Sequence, residues 1–186
     1  MAVDKVITLY HGSYTIVETP ILSKCEPGKD FGLGFYLTTD LAQAKRFVKS
    51  SIGKGIKNGV EDIDANKGFV SYYDWSNDNS LNVYEFKTAD PEWLHCVAAH
   101  RRGSLLKGEI EKWKKYDVII GKIANDSTNQ VITAYINGVY GEVGTEEADR
   151  IAISLLKPEK LTNQLCFRTD KALESLEYVF NEAVEI

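Results

Sequence analysis

No stretch of this chain approaches the roughly 20 apolar residues that a membrane-spanning helix requires. Its opening residues, Met1-Ala2-Val3-Asp4-Lys5, carry neither the basic region nor the apolar run of a secretory leader. Cysteine is scarce. Cys25, Cys96 and Cys166 are odd in number, widely spaced and outside any metal-ligand pattern, which argues for a reducing compartment. Basic excess is missing too: 22 Lys and Arg against 27 Asp and Glu leave a net charge of -5. That removes a broad electrostatic footprint for nucleic-acid backbone but leaves room for a local basic strip. Internal repeats, low-complexity segments and a convincing linker are absent as well. The expectation is a soluble cytoplasmic protein that makes no use of a membrane.

What is present suits one ordinary domain spanning residues 1–186, since 44% hydrophobic and 26% charged residues supply a sizeable core. Val6 to Tyr10 is a β-rich run stopped by His11-Gly12-Ser13, and Phe35-Tyr36-Leu37 is a second short strand. Thr39 or Asp40 caps a helix to about Ser50, with Leu41, Ala44, Phe47 and Val48 at helical spacing. Gly53 to Gly68, glycine-rich and polar, reads as a mobile loop. Phe69–Trp75 and Leu81–Phe86 read as two strands of a hairpin around Ser76–Ser80. Asp90-Pro91-Glu92 opens a helix to His100 that buries Trp93, Leu94 and Val97. Asp117 to Gly121 is a buried strand, Ser127 or Thr128 starts a helix to Asn137, and Glu146 to Leu156 is another helix, ended before Pro158. Gln164 to Phe167 is a late strand, followed by a helical turn from Asp170 and a terminal strand. Strands at both ends with helices between them indicate α+β.

The chemistry concentrates in Tyr10-His11-Gly12-Ser13 and in Asp30-Phe31-Gly32-Leu33-Gly34-Phe35-Tyr36-Leu37-Thr38. His11 at a strand end either bonds a backbone carbonyl or presents a ring nitrogen to a ribose hydroxyl, with Gly12 admitting a flat ligand to the backbone. Gly32 and Gly34 lack the following Lys-Ser/Thr of a P-loop and are better suited to a tight bend that feeds Tyr36 into its strand. Tyr36 is either a core aromatic or one wall of a slot for a planar heterocycle, with Phe47 as a second wall. A metal site is not expected, because His95 and His100 lack i, i+4 pairing and lie on a predicted helix while His11 ends a strand. Asn125 and Asp126 are either turn and cap residues or auxiliary groups, and Asp117 is a second candidate acid.

In order and spacing, His11-Gly12-Ser13 and Gly34-Phe35-Tyr36-Leu37-Thr38 resemble the NAD-binding half of ADP-ribosyltransferases. The resemblance is to the His-Tyr-Glu class of diphtheria toxin and the poly(ADP-ribose) polymerases. It implies an α+β domain of two packed, small, mainly antiparallel sheets that form an NAD cleft flanked by helices. It also implies that His11 bonds the adenosine-side ribose, Gly12 holds the nicotinamide amide, and Tyr36 stacks on the nicotinamide ring. Ser13 matches a serine of that pattern, Phe47 replaces a second stacking tyrosine, and Ala44 replaces a serine. Asn163-Gln164-Leu165-Cys166-Phe167 is similar to the late strand that carries the family's glutamate, and Gln164 stands at the glutamate's position.

The chain from Tyr10 to Tyr178 also resembles a bacterial family of unassigned function with this fold, often encoded beside small antitoxin-like partners. The implied activity is mono-ADP-ribosylation of a macromolecule, protein or nucleic acid, with NAD as co-substrate and no metal. An NAD-binding module without turnover and an NAD glycohydrolase are the alternatives.

Overall fold

The computed structural model describes residues 6–77, 79–123, 126–157 and 161–186. Along the described residues run β1 (Ile7–Ser13), β2 (Phe35–Thr38), α1 (Leu41–Lys57), β3 (Lys67–Trp75), β4 (Val83–Glu85), α2 (Pro91–Arg101) and α3 (Glu109–Trp113). They are followed by β5 (Val118–Lys122), α4 (Asp126–Ile136), α5 (Glu146–Leu156), β6 (Asn163–Phe167), α6 (Asp170–Glu174) and β7 (Glu177–Glu185). Four of the helices start where the sequence supplies a side-chain oxygen for an orphan amide. Asp40 accepts from the Gln43 N–H, Asp90 from Trp93, Thr145 from Ala148 and Thr169 from Ala172.

The fold class is α+β. All seven strands join one mixed sheet in the order β4-β5-β6-β2-β1-β3-β7, in place of the two sheets expected. Only β4 and β5 run parallel. The sheet nevertheless has a seam. β1 follows β3 along its whole length, from Ile7 opposite Trp75 to Ser13 opposite Phe69, and all of β2 follows β6. Between β1 and β2 the ladder is a single pair, Tyr10 opposite Thr38.

Strand alternation sorts the core into two faces. Leu9, Phe35, Leu37, Tyr73, Trp75, Val118, Leu165 and Phe167 pack together on one side, where Ala172 and Leu173 of α6 close over them. On the other side, Ile119 and Cys166 lie under Trp93, Ile132, Tyr135 and Ala152 from α2, α4 and α5, while Val70 and Tyr72 lie under Ala44, Val48 and Ile52 of α1. Each such aromatic or branched side chain contributes about 1.5–3 kcal/mol on leaving water. Helix α1 approaches β1 very closely: a Cβ at Gly12 would stand 2.1 Å from the Ala44 carbonyl oxygen and 3.3 Å from Val48 Cγ2.

Two local expectations fail for physical reasons. The hairpin does not form: β3 pairs with β1 and β7, and β4 pairs with β5. Asn82 and Asp117 fix the second arrangement, because the Asn82 N–H donates to Asp117 Oδ2 at 2.9 Å and the Asp117 N–H donates to the Asn82 carbonyl at 2.8 Å. The first part of the expected Gly53–Gly68 loop is instead helix, since α1 runs on to Lys57 with Ser51, Ile52 and Gly55 on its buried face. Packing outweighs the roughly 1 kcal/mol that a helical glycine costs.

The tight contact makes opposite forecasts for two glycines. Gly12→Ala is expected to lower the unfolding free energy by about 1–3 kcal/mol through overpacking against α1. Gly53→Ala, where an added Cβ meets open space, is expected to raise it by roughly 0.5–1 kcal/mol. Urea titration of both variants checks the pair.

Candidate functional site

The chemistry-bearing residues stand on the strands that border the seam. His11 lies one residue past the last β1–β2 pair, and its Nδ1 is 2.9 Å from the Tyr36 carbonyl oxygen. A carbonyl only accepts, so Nδ1 carries the proton and donates, and in the neutral ring Nε2 is left as an acceptor. Nε2 makes no hydrogen bond among the described residues. The imidazole lies against the Phe35 ring, 4.4 Å between centroids, and burial pushes its pKa below 6.5 despite the opposing effect of the Tyr36 carbonyl. His11 therefore takes the first of the two roles that its sequence position left open, a bond to a backbone carbonyl.

Tyr36 projects from β2 towards the α2, α4 and α5 core and is partly exposed. Its hydroxyl donates to the Gly32 carbonyl at 2.8 Å and accepts from the Phe31 N–H at 3.0 Å. The ring is thus clamped over the bend that precedes it, and burial raises the phenol's pKa well above 10. Gly32 makes that bend with φ +82°, and an added Cβ would stand 2.6 Å from His100 Cδ2. Gly34 is crowded from β6, with Cys166 Sγ 2.4 Å from where a Cβ would be. Both glycines serve the bend.

Gln164 begins the buried part of β6 and stands opposite Thr38 on one side and Gly121 on the other. Its Nε2 donates to Asp30 Oδ2 at 2.7 Å and to the Lys122 carbonyl at 3.3 Å. Both partners only accept, which settles the amide's orientation: the NH2 group faces inward. Oε1 makes no hydrogen bond among the described residues. Asp30 is itself gripped by Arg101, whose Nε and Nη2 donate to Oδ1 at 2.8 and 2.5 Å. Asp30 and Arg101 are only 10% and 18% exposed at the side chain, so this is a buried ion pair. Arg101 Nη1 also donates to Asn129 Oδ1 on α4 at 2.6 Å.

His11, Tyr36 and Gln164 thus stand on the neighbouring strands β1, β2 and β6, the His11 ring against Phe35 on one face and the Tyr36 and Gln164 side chains on the other. Other predicted residues serve elsewhere. Gly12 has a structural role under α1. Ser13 is buried and accepts from the Thr15 N–H at 3.3 Å. Phe47 stands 45% exposed on α1 with the Lys54 ammonium 5.7 Å from its ring centre, and it makes no contact with the Tyr36 ring. Asp117 is at the far end of the β5–β6 ladder, about 13 Å along the strands from Gln164. There it accepts from Asn82 and Thr169. Asn125 and the side chain of Asp126 lie outside the described residues.

Asp30 and Arg101 are the functional candidates that sequence reasoning missed. The one signal was an acid placed directly before an aromatic-glycine bend. Among the described residues no group of three or more His, Cys, Asp or Glu side chains is placed to hold a metal ion, and no helix is long and apolar enough to cross a membrane. Chemically, the site offers two acceptors that are uncommitted among the described residues, His11 Nε2 and Gln164 Oε1, and one clamped aromatic ring. Such a set suits hydroxyl donors attached to a planar ring.

The chain belongs to the family described as "Protein of unknown function (DUF3990)", whose model matches residues 7–178. That span runs from the first residue of β1 into β7 and includes every residue of the seam. No curated protein matches the chain.

Two measurements follow. Arg101→Leu, which withdraws the guanidinium from a buried carboxylate, is expected to cost about 3–5 kcal/mol in urea unfolding. For His11 the folded pKa is depressed, so the unfolded chain takes up a proton that the folded one resists as pH falls below 6.5. Stability is therefore present above 6.5 and is lost as the pH drops towards the folded pKa. His11→Gln is expected to show a shallower loss of stability between pH 8 and pH 5.5 than the parent.

Proposed function

We propose that this protein is an ADP-ribosyltransferase that cleaves the nicotinamide–ribose bond of NAD and transfers a single ADP-ribose to a macromolecule. The observation that carries this reading is the placement of His11, Tyr36 and Gln164 on three adjacent strands at the sheet's seam, with His11 bonded to the Tyr36 carbonyl. The architecture supports it in a second way. The seam divides the sheet into β4-β5-β6-β2 and β1-β3-β7, which would correspond to the two small sheets of an ADP-ribosyltransferase fold, with the cleft where β1 and β2 part.

In this mechanism His11 Nε2 accepts from a hydroxyl of the adenosine-side ribose, and Tyr36 stacks on the nicotinamide. Gln164 Oε1 accepts from the 2′-hydroxyl of the nicotinamide ribose. Clamping by Phe31 and Gly32 gives the Tyr36 ring one orientation, so positioning is achieved before the substrate arrives. The C1′–N bond breaks with its electron pair leaving on nicotinamide, and C1′ takes on oxocarbenium character. Acceptors held close to the sugar stabilise that charge. A nucleophile on the target then forms its bond to C1′ and loses its proton. Water in place of the target would make the same reaction a glycohydrolysis.

One observation favours a non-catalytic alternative: position 164 carries a neutral amide where the resemblance calls for a carboxylate. In that version NAD binds and is not turned over. A small neutralising protein partner belongs to the same proposal and would cover the seam.

Purified protein incubated with NAD labelled in the adenylate moiety and with cell extract is expected to release nicotinamide and to label macromolecules. Tyr36→Ala and His11→Ala should each lower the rate by at least about ten-fold, the loss of roughly 1.4 kcal/mol of transition-state stabilisation. Unchanged turnover in both variants would remove the seam from consideration as the site.

A further inference from the structure

We propose that Asp30 is a positioning residue for this site: it fixes the Gln164 amide with Oε1 outward and makes that oxygen a stronger acceptor. The proposal rests on the transferase reading above and goes on to explain how an amide can work at position 164.

The geometry is closed on three sides. Gln164 is 6% exposed, and both of its amide protons are committed, one to Asp30 Oδ2 at 2.7 Å and one to the Lys122 carbonyl at 3.3 Å. A flipped amide would set its oxygen against a carboxylate and a carbonyl, neither of which can donate. The side chain therefore has one orientation, and among the described residues Oε1 makes no hydrogen bond. Asp30 is fixed in turn because Arg101 binds its other oxygen, Oδ1, through two N–H groups. The ion pair is thus a dipole whose negative end faces the Gln164 NH2 group. In a poorly hydrated interior that dipole polarises the amide and moves electron density onto Oε1.

Asp30 also adjoins the Phe31 N–H and precedes the Gly32 carbonyl, the two groups that clamp the Tyr36 hydroxyl. One buried turn thereby sets both the ring and the acceptor. In this arrangement the carboxylate has moved back one hydrogen bond from the substrate, with Gln164 between the two.

The test compares Asp30→Asn, Gln164→Glu and the double variant Asp30→Asn/Gln164→Glu with the parent. Nicotinamide release from NAD is followed against pH, and thermal melting is recorded in parallel. Asp30→Asn is expected to lower kcat by roughly ten-fold with a smaller change in KM, as a charge-assisted bond becomes a neutral one. Gln164→Glu brings two carboxylates within hydrogen-bond reach, so they share a proton and the rate acquires a limb that rises with pH. The double variant returns the cluster to a single carboxylate. It should lose that limb and recover most of the rate, and it carries the test if Asp30→Asn does not fold.

A purely structural Asp30 would change melting temperatures without creating or removing a pH limb. Parent-like turnover by folded Asp30→Asn, or a Gln164→Glu profile that the second substitution leaves unaltered, would overturn the proposal and leave the transferase reading standing. A parent protein that releases no nicotinamide would remove both together.

Discussion

A single backbone pair, Tyr10 opposite Thr38, holds the two halves of the sheet together, and the rest of the site depends on its being single. β1 is committed to β3 along its length and pressed against α1 at Gly12, while β2 is committed to β6. Past Tyr10 the Tyr36 carbonyl would lose a ladder partner, and a buried carbonyl must find another. The His11 side chain supplies it at 2.9 Å. This one substitution of imidazole for backbone fixes the tautomer and leaves Nε2 as the ring's remaining acceptor.

The second constraint is the buried Asp30–Arg101 pair. Burying an ion pair contributes little net stability, because desolvation offsets the attraction. What it provides here is geometry. Arg101 links α2 to the bend through Asp30 and to α4 through Asn129, and Asp30 links the bend to β6 through Gln164. An apolar cluster of equal volume would fill the same space but would leave the Gln164 amide free to turn over.

Local physics made most elements legible. The caps at Asp40, Asp90 and Thr169, the proline at the first turn of α2 and the apolar run at Val118–Gly121 each act within a few residues. The corresponding helices and strand occur where those signals lie. The failures are non-local. Whether β3 turns back on β4 is decided by Asn82 meeting Asp117, and whether glycines end α1 is decided by what packs on Ser51, Ile52 and Gly55. Within the site, His11, Tyr36 and Gln164 were recognisable by type and order. Asp30 was not, because its partners are 71 and 134 residues away. The purpose of Gly12 was also hidden, since the atom it avoids belongs to a helix turn 32 positions further on.

The strand order has a consequence for the newborn chain. β1 and β2 sit at the middle of the finished sheet, and their outer neighbours follow them in the sequence at very different distances. β1 finds β3 once residue 75 is out, but β2 has only its single pair with β1 until residues 163–167 are made. Pairing over so long a separation is slow to form. While residues 39–162 are being added, the polypeptide therefore carries His11 and Tyr36 without the third residue and without the strand that orders them. Whatever the finished protein does at this seam, a translating ribosome holds it in an incomplete form until β6 has emerged.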